Sequence, residues 1–187
     1  MKKDKIRKHV AVYCSAAGAL PAQWIETARE VGRIIAEKDA ALVYGGVDAG
    51  LMREVADSVK LARSGRVIGV VPALRAAMAS SQNDDRIDTA GLDDRKAVMQ
   101  DMADVFVVLP GGYGTLDELT GALAYIRFNH ITDEKILLYN PDSLYDHLLA
   151  QFETMISRGL MSQDCLDTIE VFTSSDAMLS RLRQLIS

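Results

Sequence analysis

Residues 104–119 have the sequence DVFVVLPGGYGTLDEL, and this stretch decides the fold. It opens with an apolar, valine-rich run, which is typical of a buried β-strand. Three glycines follow within four positions, and a segment that favours a helix then carries Glu118. A strand that enters a helix through a glycine-rich turn is a recurring unit of parallel α/β proteins.

The same order of strand and helix recurs along the chain. Comparable apolar runs occupy residues 9–14, 40–45, 66–71, 104–109 and 135–140. Two segments between these runs, 21–38 and 49–62, repeat apolar residues at the three- and four-residue spacing of a helix. The alternation predicts a single-domain, Rossmann-like α/β fold over residues 1–187, with an open parallel sheet and helices on both faces.

Composition limits the classes of function. Of the 187 residues, 49% are hydrophobic and 25% are charged, as in ordinary globular domains. The net charge of −5 argues against a nucleic-acid partner, although a local basic pocket for a phosphorylated small molecule is compatible with it. No apolar segment approaches the roughly 18 residues of a membrane span. Cys14 and Cys165 lack the spacing of a metal site or a disulfide framework, so we expect no bound metal and a cytoplasmic protein.

The N-terminus allows two interpretations. Its basic start, apolar stretch and small residues superficially resemble a secretory signal. Tyr13, Cys14 and Ser15 interrupt the apolar stretch, however, and a first strand that runs into a loop explains the pattern better.

Residues 72–95 form a polar, turn-rich excursion after the third apolar run. Because ligands bind outside the carboxyl ends of parallel strands, this excursion lies on the functional side of the predicted sheet. It is either part of the site or a tolerated surface insertion. The C-terminal third predicts packing helices without catalytic groups.

Glycines cluster where three of the strands pass into helices. They are Gly18, then Gly45, Gly46 and Gly50, and finally Gly111, Gly112 and Gly114. Helix N-termini offer free N–H groups and a positive dipole end, and glycine lets an anion approach them closely. We therefore predict a phosphate pocket here, with Ser15 beside it. Neither a dinucleotide fingerprint nor a P-loop is present, which favours a ligand with one phosphate and no cofactor.

The opening stretch offers two roles for Glu118. The N–H groups of Gly111–Gly114, Tyr113 included, and the hydroxyl of Thr115 suit a phosphate. Thr115 and Glu118 also match the capping box T-x-x-E, in which the glutamate only bonds back to the helix start. Alternatively, Glu118 faces a part of the ligand where positive charge develops during the reaction.

Arg95 and Lys96 begin another predicted helix, which Asp93 or Asp94 would cap. The apolar face of this helix carries Val98, Met99 and Met102. The two cations are either an ordinary solvated pair, or Arg95 approaches the same sheet edge as Glu118.

These motifs resemble those of the Lonely Guy family of cytokinin riboside 5′-monophosphate phosphoribohydrolases. The resemblance covers most of the chain and rests on YGGVDAGLM, residues 44–52, and on DRKAVMQDMADVFVVLPGGYGTLDEL, residues 94–119. It implies hydrolysis of a purine nucleoside 5′-monophosphate, cytokinin-type or AMP, to free base and ribose 5-phosphate. It also implies that Arg95 and Glu118 are the catalytic pair, that Lys96 contacts substrate, and that the protein is a homodimer without a cofactor.

Some residues depart from the family pattern. Val47 replaces a glycine, Arg53 stands where glycine often follows Leu-Met, and residues 73–83 lack the acid that relatives carry near the nucleotide. The catalytic pair is intact, whereas the base pocket is altered. Two alternatives stay open: a nucleotide sensor without turnover, and the lysine decarboxylase after which relatives are labelled, although decarboxylases of that kind generally need a Schiff-base lysine and pyridoxal phosphate. The sequence does not distinguish a nucleophilic from an electrostatic role for Glu118.

Overall fold

A computed structural model describes residues 7–62, 64–131 and 133–187, and the basic start at 1–6 lies outside them. The strands are β1 His9–Tyr13, β2 Ala41–Tyr44, β3 Arg66–Pro72, β4 Asp85–Thr89, β5 Val105–Val108, β6 Lys135–Tyr139 and β7 Ile169–Phe172. The helices are α1 Ala22–Glu37, α2 Gly50–Leu61, α3 Leu92–Met102, α4 Tyr113–Phe128, α5 Asp146–Ser157, α6 Gln163–Leu166 and α7 Ser175–Leu185. A short 3-10 segment, Ala73–Met78, follows β3.

All strand pairs in the sheet are parallel, in the order β4-β3-β2-β1-β5-β6-β7. The chain direction across the sheet therefore reverses between β1 and β5, and such a switch point opens a crevice at the carboxyl ends of the strands. At this crevice the Ser15 N–H donates to the Pro110 carbonyl at 3.0 Å, which joins the loops that follow the two central strands. The predicted α/β fold with an open parallel sheet is confirmed.

Helices cover both faces of the sheet. Successive side chains of each strand point to opposite faces, so the apolar strands supply a core on each face. On β1, Val10 and Val12 pack in the core formed with α1, α2 and α7. Ala11 and Tyr13 point to the opposite core, which α3, α4 and α5 close. The candidate residues on α3 and α4 thus lie on the same face of the sheet. Among the described residues, no helix is long and apolar enough to span the hydrocarbon core of a bilayer.

The two edge strands were missed by the sequence prediction. β4 lies inside the excursion that was expected to be irregular, and β7 lies in the C-terminal third that was expected to be helical. Each of these strands pairs with only one neighbouring strand, and half-buried residues alternate with exposed residues along β4. An edge strand needs no continuous apolar run, so the criterion that identified the central strands does not detect it.

Candidate active site

Arg95 and Glu118 form an ion pair between α3 and α4. The Arg95 Nη2 donates to Glu118 Oε1. The two side chains are only 12% and 3% exposed, respectively. Arg95 is therefore not part of a solvated pair, and the expectation that it reaches Glu118 is confirmed.

The starts of both helices differ from the prediction. α4 begins at Tyr113 with Gly112 as its N-cap, so Thr115 already lies inside the helix and the capping-box interpretation of Glu118 is wrong. α3 begins at Leu92 with Gly91 as its N-cap, so Asp93 and Asp94 lie in its first turn and do not cap it. In both cases a glycine takes the extended N-cap conformation two or three residues before the side chain that was expected to cap the helix.

The apolar face of α3 packs as predicted. Met99 is fully buried, and Val98 and Met102 are partly buried against the same core. This packing fixes the helix against the sheet, so the first turn holds Arg95 at the carboxyl edge.

Burial dominates the electrostatics of the pair. It raises the pKa of Glu118 to about 7, against the opposing effect of the Arg95 guanidinium. Burial, followed by the nearby Glu118, also raises the pKa of the Tyr13 hydroxyl well above its ordinary range. A carboxylate that ionises near neutral pH in a dry environment interacts strongly with any positive charge that develops beside it.

The second glycine loop forms a wall of this site. A Cβ added to Gly45 would lie 3.1 Å from Arg95 Nη1 and 3.3 Å from the Met52 sulfur. The missing side chain therefore makes room for the guanidinium. Met52 was assigned only to a helix core by the sequence analysis, and the signal for its place at the site was the Leu-Met pair in the family motif.

The excursion is fastened to the same glycine loop. The Gly46 carbonyl accepts the Ser80 N–H at 2.7 Å, and Val47 pairs with Ala79 in an antiparallel bridge. The Asp48 N–H donates to the Met78 carbonyl at 3.1 Å. The excursion thus joins the loop that contacts Arg95, which favours its interpretation as part of the site.

Two departures from the family pattern also tie this loop down. Val47 is 5% exposed and packs in the core on the α1 side of the sheet. Arg53 Nε donates to Asp48 Oδ1 at 2.7 Å, which links the first turns of α2 to the loop before it. Both substitutions therefore add contacts around the glycines and leave the Arg95–Glu118 pair intact.

The third glycine loop leads into α4. Its first backbone bond joins the Leu116 N–H to the Gly112 carbonyl at 3.0 Å, so the N–H groups of Tyr113 and Gly114 precede the helical ladder. No side chain in the described part of the chain caps this helix start. A Cβ on Gly112 or Gly114 would meet nothing within 4 Å, and residues 112–114 are exposed, so the start of this helix borders open space.

Gly111 and Thr115 are engaged within the protein. The Gly111 N–H donates to the Tyr145 hydroxyl at 3.0 Å. A Cβ on Gly111 would lie 2.0 Å from Thr115 Oγ1, and Thr115 itself is only 3% exposed. The turn therefore folds over Thr115, and the groups that face open space begin at Gly112.

The loop after β1 is packed against α2. Ser15 accepts the Leu51 N–H on its carbonyl at 2.9 Å and the Ala17 N–H on its hydroxyl at 3.0 Å. Gly50 has a φ of +51°, and a Cβ there would lie 2.6 Å from backbone atoms of residues 15–17. Gly50 thus serves close packing, while Ser15 remains at the edge of the crevice.

Lys96 lies beside the pair, with its ammonium between two carboxylates. Its Nζ contacts Asp117 Oδ1 at 2.7 Å and Asp93 Oδ1 at 3.3 Å. The hydrogen bond to Asp117 is the main reason why the pKa of Lys96 is raised. Lys96 is therefore a cation at the site and is held in its charged form.

The structure holds a cavity of about 540 Å³ that does not include the ion pair. Its walls come from the later turns of α4 and from residues 159–162, with Phe128 and Leu160 beside it. The charged residues at the crevice and this apolar cavity are therefore separate features.

Comparisons with known proteins identify the family to which the chain belongs. The family model described as possible lysine decarboxylase matches residues 52–182. The cytokinin riboside 5′-monophosphate phosphoribohydrolase LOG of Oryza sativa subsp. japonica is 33% identical over 168 residues, which are 87% of this chain and 67% of the relative. The enzyme of the same name from Mycobacterium tuberculosis is 36% identical over 166 residues, or 87% and 86% of the two chains.

Solved structures share the fold. The molybdenum cofactor binding protein of Rippkaea orientalis superposes with a TM-score of 0.73 at 23% identity, over 98% of this chain and 100% of the other. The molybdenum cofactor carrier protein of Chlamydomonas reinhardtii gives a TM-score of 0.71 at 23% identity, over 96% and 98% of the two chains. The sequence motifs, the extent of the family match and the two phosphoribohydrolase relatives show that the chain belongs to the Lonely Guy family of hydrolases, which the family model describes as possible lysine decarboxylase.

Proposed function

We propose that the protein hydrolyses the N-glycosidic bond of a purine nucleoside 5′-monophosphate, cytokinin-type or AMP, and releases the free base and ribose 5-phosphate. The observation that carries this proposal is the buried ion pair of Glu118 with Arg95, because Glu118 lies on α4, whose start is uncapped and rich in glycine. A phosphate bound at that start would place the ribose of a nucleoside monophosphate toward the carboxylate, one to two helical turns along α4.

The 5′-phosphate would bind the N–H groups of Gly112, Tyr113 and Gly114. These groups belong to exposed residues at the positive end of the helix dipole. Gly111 and Thr115 shape the turn beneath the phosphate, and Thr115 contributes its N–H from the first turn of α4. The other predicted contacts, Lys96, Gly45, Gly46 and Ser15, surround the crevice, and we assign the ribose and the base to them.

In the proposed reaction, the bond from the ribose C1′ to the base nitrogen breaks and its electron pair leaves with the base. The oxygen of a water molecule bonds to C1′, and a proton of that water goes to the base. Positive charge accumulates on the ribose during bond cleavage, and the Glu118 carboxylate stabilises it. Arg95 holds this carboxylate in its ionised form and in place.

Lysine decarboxylation fits the site poorly. A lysine that forms a Schiff base must be readily deprotonated, which requires a lowered pKa. Lys96 lies between Asp117 and Asp93, and its pKa is raised. This environment suits a fixed positive charge that contacts an anionic substrate, and it opposes nucleophilic use of the amine.

We further propose that the protein is a cytoplasmic homodimer. Phe128 and Leu160 are 80% and 78% exposed beside the apolar cavity between α4 and residues 159–162. Exposed large apolar side chains that adjoin a groove are typical of an interface, and a second copy of the chain would bury them. Both cysteines are free, which suits a reducing compartment.

The test is incubation of the purified protein with AMP, GMP, CMP and isopentenyladenosine monophosphate, with chromatographic detection of free base and ribose 5-phosphate. We expect equimolar release of both products from purine substrates, and the order of the rates identifies the preferred base. Binding without release from any of the four nucleotides would support a nucleotide sensor and overturn the hydrolase. Absence of both binding and release would also overturn the proposal.

A further inference from the structure

Tyr145, at the N-cap of α5, reaches back to the phosphate-binding turn. Its hydroxyl donates to the Leu109 carbonyl at 2.9 Å and accepts the Gly111 N–H at 3.0 Å. One oxygen thus joins both sides of the turn that leads from β5 into α4. Tyr145 is 3% exposed, so these bonds form away from solvent.

The backbone of Tyr145 is fixed as firmly as its hydroxyl. Its N–H donates to Asn140 Oδ1 at 2.7 Å, and Asn140 Nδ2 donates to Asp146 Oδ1 at 2.7 Å. Asn140 directly follows β6 and is itself 3% exposed. Because β6 pairs with β5, this network fixes the distance between the end of β6 and the turn after β5.

We propose that Tyr145 is a positioning residue for the reaction, because its hydroxyl sets the shape of the Leu109–Gly111 turn and thereby aims the first N–H groups of α4 at the 5′-phosphate. This inference rests on the proposed function of the same site. Tyr145 does not contact the reacting atoms, since its hydroxyl acts through the turn. Because the Gly111 N–H already donates to the Tyr145 hydroxyl, the phosphate would bind the N–H groups of the residues that follow.

The inference predicts a defect in phosphate recognition. In Tyr145→Phe, the Leu109 carbonyl and the Gly111 N–H lose their common partner, and the turn is released. We expect KM for the nucleoside monophosphate and the inhibition constant of ribose 5-phosphate to rise roughly tenfold, with kcat changed by less than about twofold. A merely structural role would lower the melting temperature and leave both constants unchanged.

Tyr139→Phe is the matched control. Tyr139 is also a fully buried tyrosine at the end of β6, but its hydroxyl accepts from Gln23 Nε2 on the opposite face of the sheet. It therefore loses a buried hydroxyl without touching the turn. We expect KM, kcat and the inhibition constant of ribose 5-phosphate to stay within about twofold of the wild type.

Each result decides one claim. Equal KM values in Tyr145→Phe and Tyr139→Phe, with an active wild type, would overturn the role of Tyr145 and leave the proposed function standing. An inactive wild type would overturn the proposed function itself. If Tyr145→Phe does not fold, Asn140→Ala is tested instead, because it removes the acceptor of the Tyr145 N–H and releases the backbone that holds the hydroxyl against the turn. A rise in KM in the same direction is expected there, and an unchanged KM would overturn the inference.

Discussion

Arg95 and Glu118, 23 residues apart in sequence, form an ion pair between two helices that pack on the same face of the sheet. Their contact depends on the crossover that brings α3 over the central strands before β5. The pair therefore links the topology of the fold to the chemistry of the site.

The wild-type pH profile should reflect the ionisation of Glu118. In the proposed reaction only the ionised form of Glu118 would stabilise positive charge on the ribose, and burial raises the pKa of Glu118 to about 7. We expect kcat/KM to increase as pH rises through about 7 and to level off above it. The profile is measured by initial rates of base release between about pH 5 and pH 9. A rate that is constant across that window would contradict this assignment.

Removal of the Arg95 charge should move this profile. The guanidinium opposes the effect of burial on Glu118, so its loss raises the pKa of Glu118 further. In Arg95→Gln we expect a profile displaced to higher pH and a maximal rate reduced by about 100-fold. Arg181→Gln, which breaks the remote pair with Glu170, is the control and should keep the wild-type profile. Ionisation of the substrate phosphate would not move with Arg95, so an undisplaced profile argues against the role of Glu118.

Two adjacent glycines should respond differently to substitution. In Gly111→Ala the new methyl group would overlap Thr115, where the distance to Oγ1 is 2.0 Å, and the overpacking should cost about 1–3 kcal/mol of stability. In Gly112→Ala the methyl group enters open space, so the melting temperature should stay close to the wild-type value. There we expect the KM for nucleotide to rise, because the methyl group crowds the phosphate. A normal KM in Gly112→Ala would contradict the proposed phosphate position.

Glu134 should make the protein less stable as pH rises. Burial, with a smaller effect of Asp104, raises its pKa from an ordinary 4.5 to about 7. Between these values the folded state binds more protons than the unfolded state, so the free energy of unfolding falls with increasing pH. Glu118 contributes in the same direction. Denaturant titrations at about pH 5 and pH 8 give the free energy of unfolding at each pH. We expect this free energy to fall less between the two pH values in Glu134→Gln than in the wild type, with base release unchanged. An equal fall would contradict the assignment.

The central strands could be predicted because they are buried on both faces, and the edge strands could not. Residues 105–108 and 136–139 form continuous apolar runs, whereas exposed charged residues alternate with partly buried residues along β4. The same limit applies to β7, in which only Ile169 is buried. A pattern that depends on the burial of both faces detects the central strands and misses the edge strands, whose faces are only partly covered.

The site residues that belong to local sequence motifs were predicted, and those that are brought in by the fold were not. Glu118 and Arg95 were identified by their motifs, but only the fold decides between a capping box and an ion pair. Tyr145 was missed, because its hydroxyl bonds a carbonyl 36 residues earlier and no local pattern marks it. Met52 belongs to the family motif, but its place in the wall of the site was missed, because its contact with Gly45 joins α2 to the loop after β2.

The most direct test of the account compares Glu118→Gln with Glu170→Gln. Both replace a carboxylate that is paired with an arginine, but Glu170 and Arg181 lie remote from the crevice on β7 and α7. We predict that Glu118→Gln lowers release of base and ribose 5-phosphate by at least about 100-fold while nucleotide binding by calorimetry is retained, and that Glu170→Gln keeps wild-type rates. Release at the wild-type rate by Glu118→Gln would contradict the central claim.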